Sequence, residues 1–173
     1  MVLNALGNWG YRVSFSEAQI ASTTVNYLGL LLIPTSKIIP PQRRQALTQT
    51  LRPQTKRELL YLLGLLNFFQ IWVPNFALHA KPLYQATRGN LDEPLLASTF
   101  LHTPIQTLIK HLLQAPSLYL PDYTKPFFLS VHSRQGHALG ILCQKRGDIW
   151  GPLAYLSNNS ILSHSDDHLV SRP

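Results

Sequence analysis

The sequence predicts an α+β fold, and three observations carry that prediction. Leu59, Leu60, Leu62, Leu63, Leu65, Leu66, Phe68 and Phe69 crowd one run behind a helix-start signature. Ile105, Leu108, Ile109, Leu112 and Leu113 follow the i, i+3, i+4, i+7, i+8 spacing of a helix with one apolar face. Three short runs, residues 127–131, 138–144 and 152–156, are separated by turns carrying Ser133, Gly136, Gly147 and Gly151, which reads as an antiparallel meander.

Taken in order, the chain opens on a block in which Tyr11, Val13 and Phe15 alternate with Arg12, Ser14 and Ser16, the pattern of a half-buried strand. Residues 25–33 form a second strand, denser in apolar side chains. Pro34, Pro40 and Pro41 mark a linker, and residues 42–51 a short helix ended by Pro53. Thr55 is placed as an N-cap, with Glu58 three residues on completing a capping box. Gly64 lies in the middle of the leucine-rich helix, where it costs about 1 kcal/mol against Ala unless close packing requires it. Pro74 stops that helix, and residues 87–94 are a polar loop. Thr103 and Pro104 suit the N-cap and first position of the next helix. The tail, 158–173, is polar and reads as disordered.

Composition narrows the class. Lys and Arg outnumber Asp and Glu 15 to 8, a net charge of +7 that favours an anionic partner. Cys143 is the single cysteine. It excludes an intramolecular disulfide and fits a reducing, intracellular setting. Its apolar surroundings suggest a buried, inert thiol. No run approaches the ~18 apolar residues of a membrane span, and no signal peptide is recognisable after Met1. Cytoplasm or nucleus is the expected location.

Lys37, Arg43, Arg44, Arg52, Lys56 and Arg57 fall in a stretch without an acid, with Tyr61 and Trp72 close by. Cations so grouped suit a phosphate backbone, which they contact without reading bases; from charge alone a solvated basic face is the competing reading. His164, Asp166, Asp167 and His168 could place two imidazoles on one helix face for a metal, but their polar setting favours a solvated tail. His132 and His137 flank a turn and read as loop residues.

The segment KRELLYLLGLLNFFQIWVPNFALHAKPLY, residues 56–84, resembles the thumb of gammaretrovirus-like reverse transcriptases, endogenous-retrovirus Pol included. Gly64, Phe68-Phe69, Trp72-Val73-Pro74, Phe76 and Lys81-Pro82-Leu83-Tyr84 carry the likeness. Upstream, GYRVSFSEAQIASTTVNYLGLLL resembles the last palm segment, including the Tyr27-Leu28-Gly29 hairpin that in this family touches the primer terminus. Downstream, LLQAPSLYLPDYTKPFFLSVHSRQGHALGILCQKRG and PLAYLS resemble the RNase H-like connection module.

The resemblance implies a truncated palm hairpin (residues 1–33), a helical thumb (34–90), a partial connection module with a short mixed or antiparallel sheet (91–157) and an unrelated tail (158–173). It implies weak binding of RNA–DNA or DNA duplex without sequence preference through Arg43, Arg44, Lys56, Arg57, Tyr27, Gly29 and Trp72. Open strand edges, above all on the palm hairpin, suggest another Pol-like chain as a second partner, and a co-opted protein-interaction module or a residual nuclease as alternative functions.

No catalytic residue, metal ligand or cofactor is expected in this chain. The family's polymerase needs paired aspartates in a Tyr-x-Asp-Asp hairpin around Mg²⁺, and the sequence has no such motif. His132 stands where many related elements place the first RNase H carboxylate, and imidazole is a poor Mg²⁺ ligand.

Overall fold

The structure, a computed structural model, describes residues 2–12, 14, 16–49, 53–95 and 99–159. It opens with α1 (Val2–Asn8). The strand expected around Tyr11 is not formed by the described residues there. Alternation yields a strand only where a neighbouring strand supplies partners, and none of the described strands pairs with the described residues of this segment. Val13 and Phe15 lie outside the described residues.

Residues 25–33 form a hairpin and not one strand: β1 (Val25–Tyr27) and β2 (Leu30–Ile33) pair antiparallel, with Tyr27 opposite Leu30. Leu28 and Gly29 make the turn with φ of 50° and 76°, the doubly left-handed geometry that matches strand twist. The expected linker supplies β3 (Ser36–Ile38), which pairs with β2 on one side and with β4 (Leu118–Tyr119) on the other. The four strands lie in the order β1-β2-β3-β4. The β1–β2 hairpin is therefore tied, through β3, to the chain's second half.

Its outer edge is closed as well. Within the three-residue β1, Asn26 is the residue whose backbone faces away from β2. The Gln19 amide takes both groups: its Oε1 accepts from Asn26 N–H at 2.6 Å and its Nε2 donates to Asn26 carbonyl at 2.8 Å. The open palm edge expected from sequence is thus occupied by a side chain that imitates a strand.

Helix α2 spans Pro41–Gln49 and α3 spans Lys56–Phe68. Thr55 caps α3 as expected, its Oγ1 accepting from Glu58 N–H at 3.2 Å, while Glu58 Oε2 reaches Gln54 N–H at 2.7 Å. The loop before Pro94 folds back on this end, its Glu93 and Leu91 carbonyls accepting from Lys56 and Arg57 N–H. A 3-10 turn, Gln70–Trp72, follows α3 and leads to α4 (Phe76–Ala86), which tolerates Pro82 inside it.

Helix α5 runs Thr99–Leu113, starting a turn before the expected cap. Pro104 lies inside it, and Thr103 is an interior residue whose carbonyl accepts from Thr107 Oγ1 at 2.8 Å. Four of its five expected apolar positions, Ile105, Leu108, Ile109 and Leu112, are buried, while Leu113 is exposed.

The meander is present as β5 (Phe128–Arg134), β6 (His137–Arg146) and β7 (Ile149–Asn159), in that order. A bulge at Leu142/Cys143 lets Pro152 sit in β7. Gln144 anchors the preceding loop. Buried completely, it accepts from Asp122 N–H at 2.9 Å and donates to the Asp122 and Lys125 carbonyls at 2.8 and 3.2 Å. Gly151 admits the ring of Tyr119 from β4: a Cβ there would stand 2.5 Å from Tyr119 Cε2.

One hydrophobic cluster serves all of this. Ile39, Leu47, Leu59, Leu63, Leu66, Phe69, Trp72, Phe76, Leu83, Leu108, Leu112 and Leu118 are buried together, with Tyr155 of β7 against them. This core draws on residues on both sides of position 90, and partly buried Leu30 packs against it from the first segment. Burial of each leucine side chain is worth roughly 1.5–3 kcal/mol, so the segments stabilise one another. No described helix is long and apolar enough to cross a membrane.

Candidate nucleic-acid interface

The basic stretch expected to face phosphates is only partly free to do so. Arg44 points inward from α2: Nε donates to Ile39 carbonyl at 3.1 Å, Nη1 to Leu113 carbonyl at 3.1 Å and Nη2 to Ala115 carbonyl at 3.0 Å. It therefore satisfies carbonyls at and just beyond the C-terminal end of α5, where a cation also complements the helix dipole. Lys37 lies over the Trp72 ring, its Nζ 5.6 Å from the centroid, and burial lowers its pKa from the ordinary lysine value. Trp72 itself is 1% exposed and offers no platform to a ligand. Its aromatic area serves the core.

The acids missing from the stretch arrive from the loop that folds onto α3. Lys56 pairs with Glu93 and also donates to Arg88 carbonyl at 2.9 Å. Arg57 pairs with Asp92, with Nη2 and Nε at 2.8 and 3.1 Å from Oδ1. The Arg57–Asp92 pair is well exposed on both sides, and such pairs are worth about 0–1 kcal/mol, so phosphate can compete for Arg57. Lys56 is held more firmly, being largely covered and bonded twice. Arg52 lies outside the described residues.

Arg43 is exposed and makes no ion pair among the described residues. Its guanidinium lies against Gly29 at the tip of the β1–β2 hairpin: a Cβ built on Gly29 would stand 2.6 Å from Cζ. Tyr27 is exposed beside it, and Leu28 is 72% exposed at the turn. Tyr27 and Gly29 of the hairpin and Arg43 of the basic stretch thus form one surface.

A further surface was missed. Leu59, Leu62, Leu63 and Leu66 turn into the core, leaving Arg57, Tyr61, Gly64 and Phe68 on the outer side of α3. Their spacing, i, i+4, i+7 and i+11, is a single helical stripe. Tyr61 is 73% exposed, and a Cβ on Gly64 would meet nothing within 4 Å. No packing among the described residues accounts for this glycine. The spacing was visible in the sequence, but the run of leucines hid it.

Among the described residues no group of three or more His, Cys, Asp and Glu could hold a metal ion. Asp92 and Glu93 are engaged by Arg57 and Lys56, Glu58 caps α3, and Asp122 accepts from Thr124 and Lys125. These acids do not fit the paired Mg²⁺ ions of a polymerase or RNase H site. His132 is exposed on β5. His137 is buried on β6, its Nδ1 2.9 Å from Gln135 carbonyl. Cys143 is half-buried, and burial pushes its thiol pKa up, away from thiolate chemistry. The His164–His168 cluster lies outside the described residues.

No protein-family model matches the chain. It is 40% identical over 156 residues to the Gag-Pol polyproteins of baboon endogenous virus (strain M7) and avian reticuloendotheliosis virus, a stretch covering 90% of this chain and 9% and 14% of those proteins. The Pol polyprotein of feline endogenous virus ECE1 is 39% identical, with 90% of this chain and 15% of the relative covered. The chain thus spans about a tenth to a seventh of the curated relatives it matches. In fold it matches foamy viral protease-reverse transcriptase. One such structure, with the dRH form bound to double-stranded DNA, gives a TM-score of 0.78 at 24% identity over 91% of this chain and 28% of that one. Another, bound to an RNA/DNA hybrid, gives 0.77 at 24% identity over 91% and 21%. This chain is therefore a homologue of one stretch of the Pol polyproteins of endogenous viruses and their relatives, and it shares its fold with part of foamy viral protease-reverse transcriptase.

Proposed function

We propose that this chain binds duplex nucleic acid, DNA or RNA–DNA hybrid, weakly and without sequence preference, and contributes no polymerase or nuclease chemistry of its own. The observation that carries the reading is the outer stripe of α3. Tyr61 and Phe68 offer apolar area to sugars, and Gly64 between them lets a nucleic-acid backbone come close to the helix. Arg57 at one end, and Arg43 beside the hairpin tip, supply phosphate contacts. The complexes of foamy viral protease-reverse transcriptase with double-stranded DNA and RNA/DNA hybrid support the duplex as ligand class. The absence of a Tyr-x-Asp-Asp motif and the dispersed acids support the lack of catalysis and of any metal held by this chain.

The test is a titration of labelled duplex at several salt concentrations. Two engaged phosphates, at Arg43 and Arg57, give a log–log salt slope of about −1.8, from roughly 0.9 per phosphate. Arg43→Gln with Arg57→Gln is expected to flatten the slope and leave sequence preference unchanged. Equal slopes for wild type and double variant would remove these residues from the interface. Primer extension or metal-dependent hybrid cleavage by the pure chain would overturn the non-catalytic half.

A further inference from the structure

Strand β5 is exposed along its whole length, on both faces and at its free edge. It pairs with β6 alone among the described strands. Soluble proteins guard such an edge with lysine, proline, inward charge or a covering element. Between Phe128 and Arg134 there is no lysine, proline or acid, and the one cation stands at the end.

The other edges of the two sheets are treated differently. Pro152 in β7 has no N–H to offer, Tyr119 lies on Gly151, and Ser157 accepts from Ala77 N–H at 2.9 Å. On the first sheet Gln19 closes Asn26. Among the described residues no such guard lies along β5.

We propose that β5 is a homodimer interface, pairing antiparallel with β5 of a second copy about a two-fold axis at Val131. The backbone sets the register. Gln135 and Gly136 form a two-residue turn with φ of 51° and 72°, so Arg134 and His137 are a hydrogen-bonded pair. By alternation Leu129, Val131 and Ser133 present their N–H and C=O groups outward. A two-fold at Val131 sets Val131 opposite Val131 of the second copy, and Leu129 opposite Ser133. All outward groups are then matched, giving about six hydrogen bonds between chains.

The side chains agree with this register. Phe128 faces Arg134 of the second copy, placing a cation beside a ring, and no like charges meet. Val131 lies in line with Gly140 of β6 and Leu156 of β7. Val131 is 61% and Leu156 42% exposed. Pairing joins two such apolar rows into one across the axis. Because the opposite edge of the sheet is blocked, the contact closes as a dimer and does not propagate.

A small interface of this kind is weak, so the test is sedimentation of the full chain, without nucleic acid, over roughly 1–200 µM. Mass is expected to rise from one chain to two. Val131→Glu sets two carboxylates opposite each other and is expected to abolish the dimer while leaving the melting temperature of the monomer unchanged. In a Cys143→Ser background, Val131→Cys is expected to form a disulfide-linked dimer on mild oxidation. Ser130→Cys, which faces His132 and not itself, is expected to stay largely monomeric. One-chain mass at every concentration, an open-ended aggregate, or a dimer indifferent to Val131→Glu would each overturn the proposal. None of these readouts depends on duplex binding.

Discussion

Arg43 of α2 covers Gly29 at the turn of the β1–β2 hairpin so closely that a Cβ on Gly29 would stand 2.6 Å from Cζ and 2.9 Å from Nε. Gly29 has a φ of 76°, so side chains are excluded there twice, by backbone and by neighbour. Gly29→Ala is expected to destabilise the chain by about 1–2 kcal/mol and to displace Arg43. Leu28, at φ 50°, is 72% exposed and has little packing to lose. Leu28→Asn is expected to stabilise by about 0.5–1 kcal/mol, since asparagine tolerates this region better. Urea unfolding of both variants checks the pair of opposite signs.

Two adjacent arginines separate structure from binding. Arg44→Gln removes a charged donor from the Ile39 carbonyl and from two carbonyls at the end of α5 and is expected to cost about 1.5–3 kcal/mol of stability. Arg43→Gln is expected to stay within about 0.5 kcal/mol of wild type, as surface changes usually do, while weakening duplex binding. Equal losses of stability would mean that Arg43 holds the hairpin in place and would count against its role at phosphate.

Much of this was legible because it is local. The Thr55 cap with Glu58, the leucine face of α3, the burial pattern of α5 and the order of the meander each depend on residues within a few turns of one another. What escaped depends on distant partners. Ser36–Ile38 becomes a strand because Leu118 and Tyr119 pair with it some eighty residues later. The basic stretch looks uncompensated until the 87–95 loop brings Asp92 and Glu93 back to Arg57 and Lys56. Thr103-Pro104 satisfies the local rule for a helix start, yet the helix begins at Thr99. Trp72 suited a binding surface by composition, and the core took it.

His79 of α4 and His111 of α5 lie side by side, their ring centroids 5.9 Å apart and their planes tilted by 35°. Burial, then the His111 and Arg134 charges, lower the pKa of His79 below its ordinary 6.5. Below 6.5 and above the folded value, the unfolded chain binds this proton and the folded chain does not. Stability therefore falls as pH drops through that window and is intact above it. His79→Gln is expected to shrink the stability loss seen between about pH 7 and pH 5, measured by urea unfolding at each pH. An unchanged loss would assign the acid sensitivity to other groups.

Gly64 gives the sharpest division between folding and function. It sits mid-helix in α3, exposed, with open space where a Cβ would be. Gly64→Ala is therefore expected to stabilise the chain by about 0.5–1 kcal/mol, through helix propensity alone. If duplex is laid along Tyr61, Gly64 and Phe68, the same methyl group holds the backbone off the helix, and affinity falls. Gly64→Val is expected to weaken binding further, with less gain in stability because of its β-branch. A Phe68→Ala variant removes apolar area from the same stripe without adding bulk and is expected to weaken binding with little effect on folding. The measurements are urea unfolding and duplex titration on each variant. Greater stability with unchanged affinity for Gly64→Ala would show that nothing approaches α3 at this point, and duplex contact would then rest on the Arg43 hairpin surface alone.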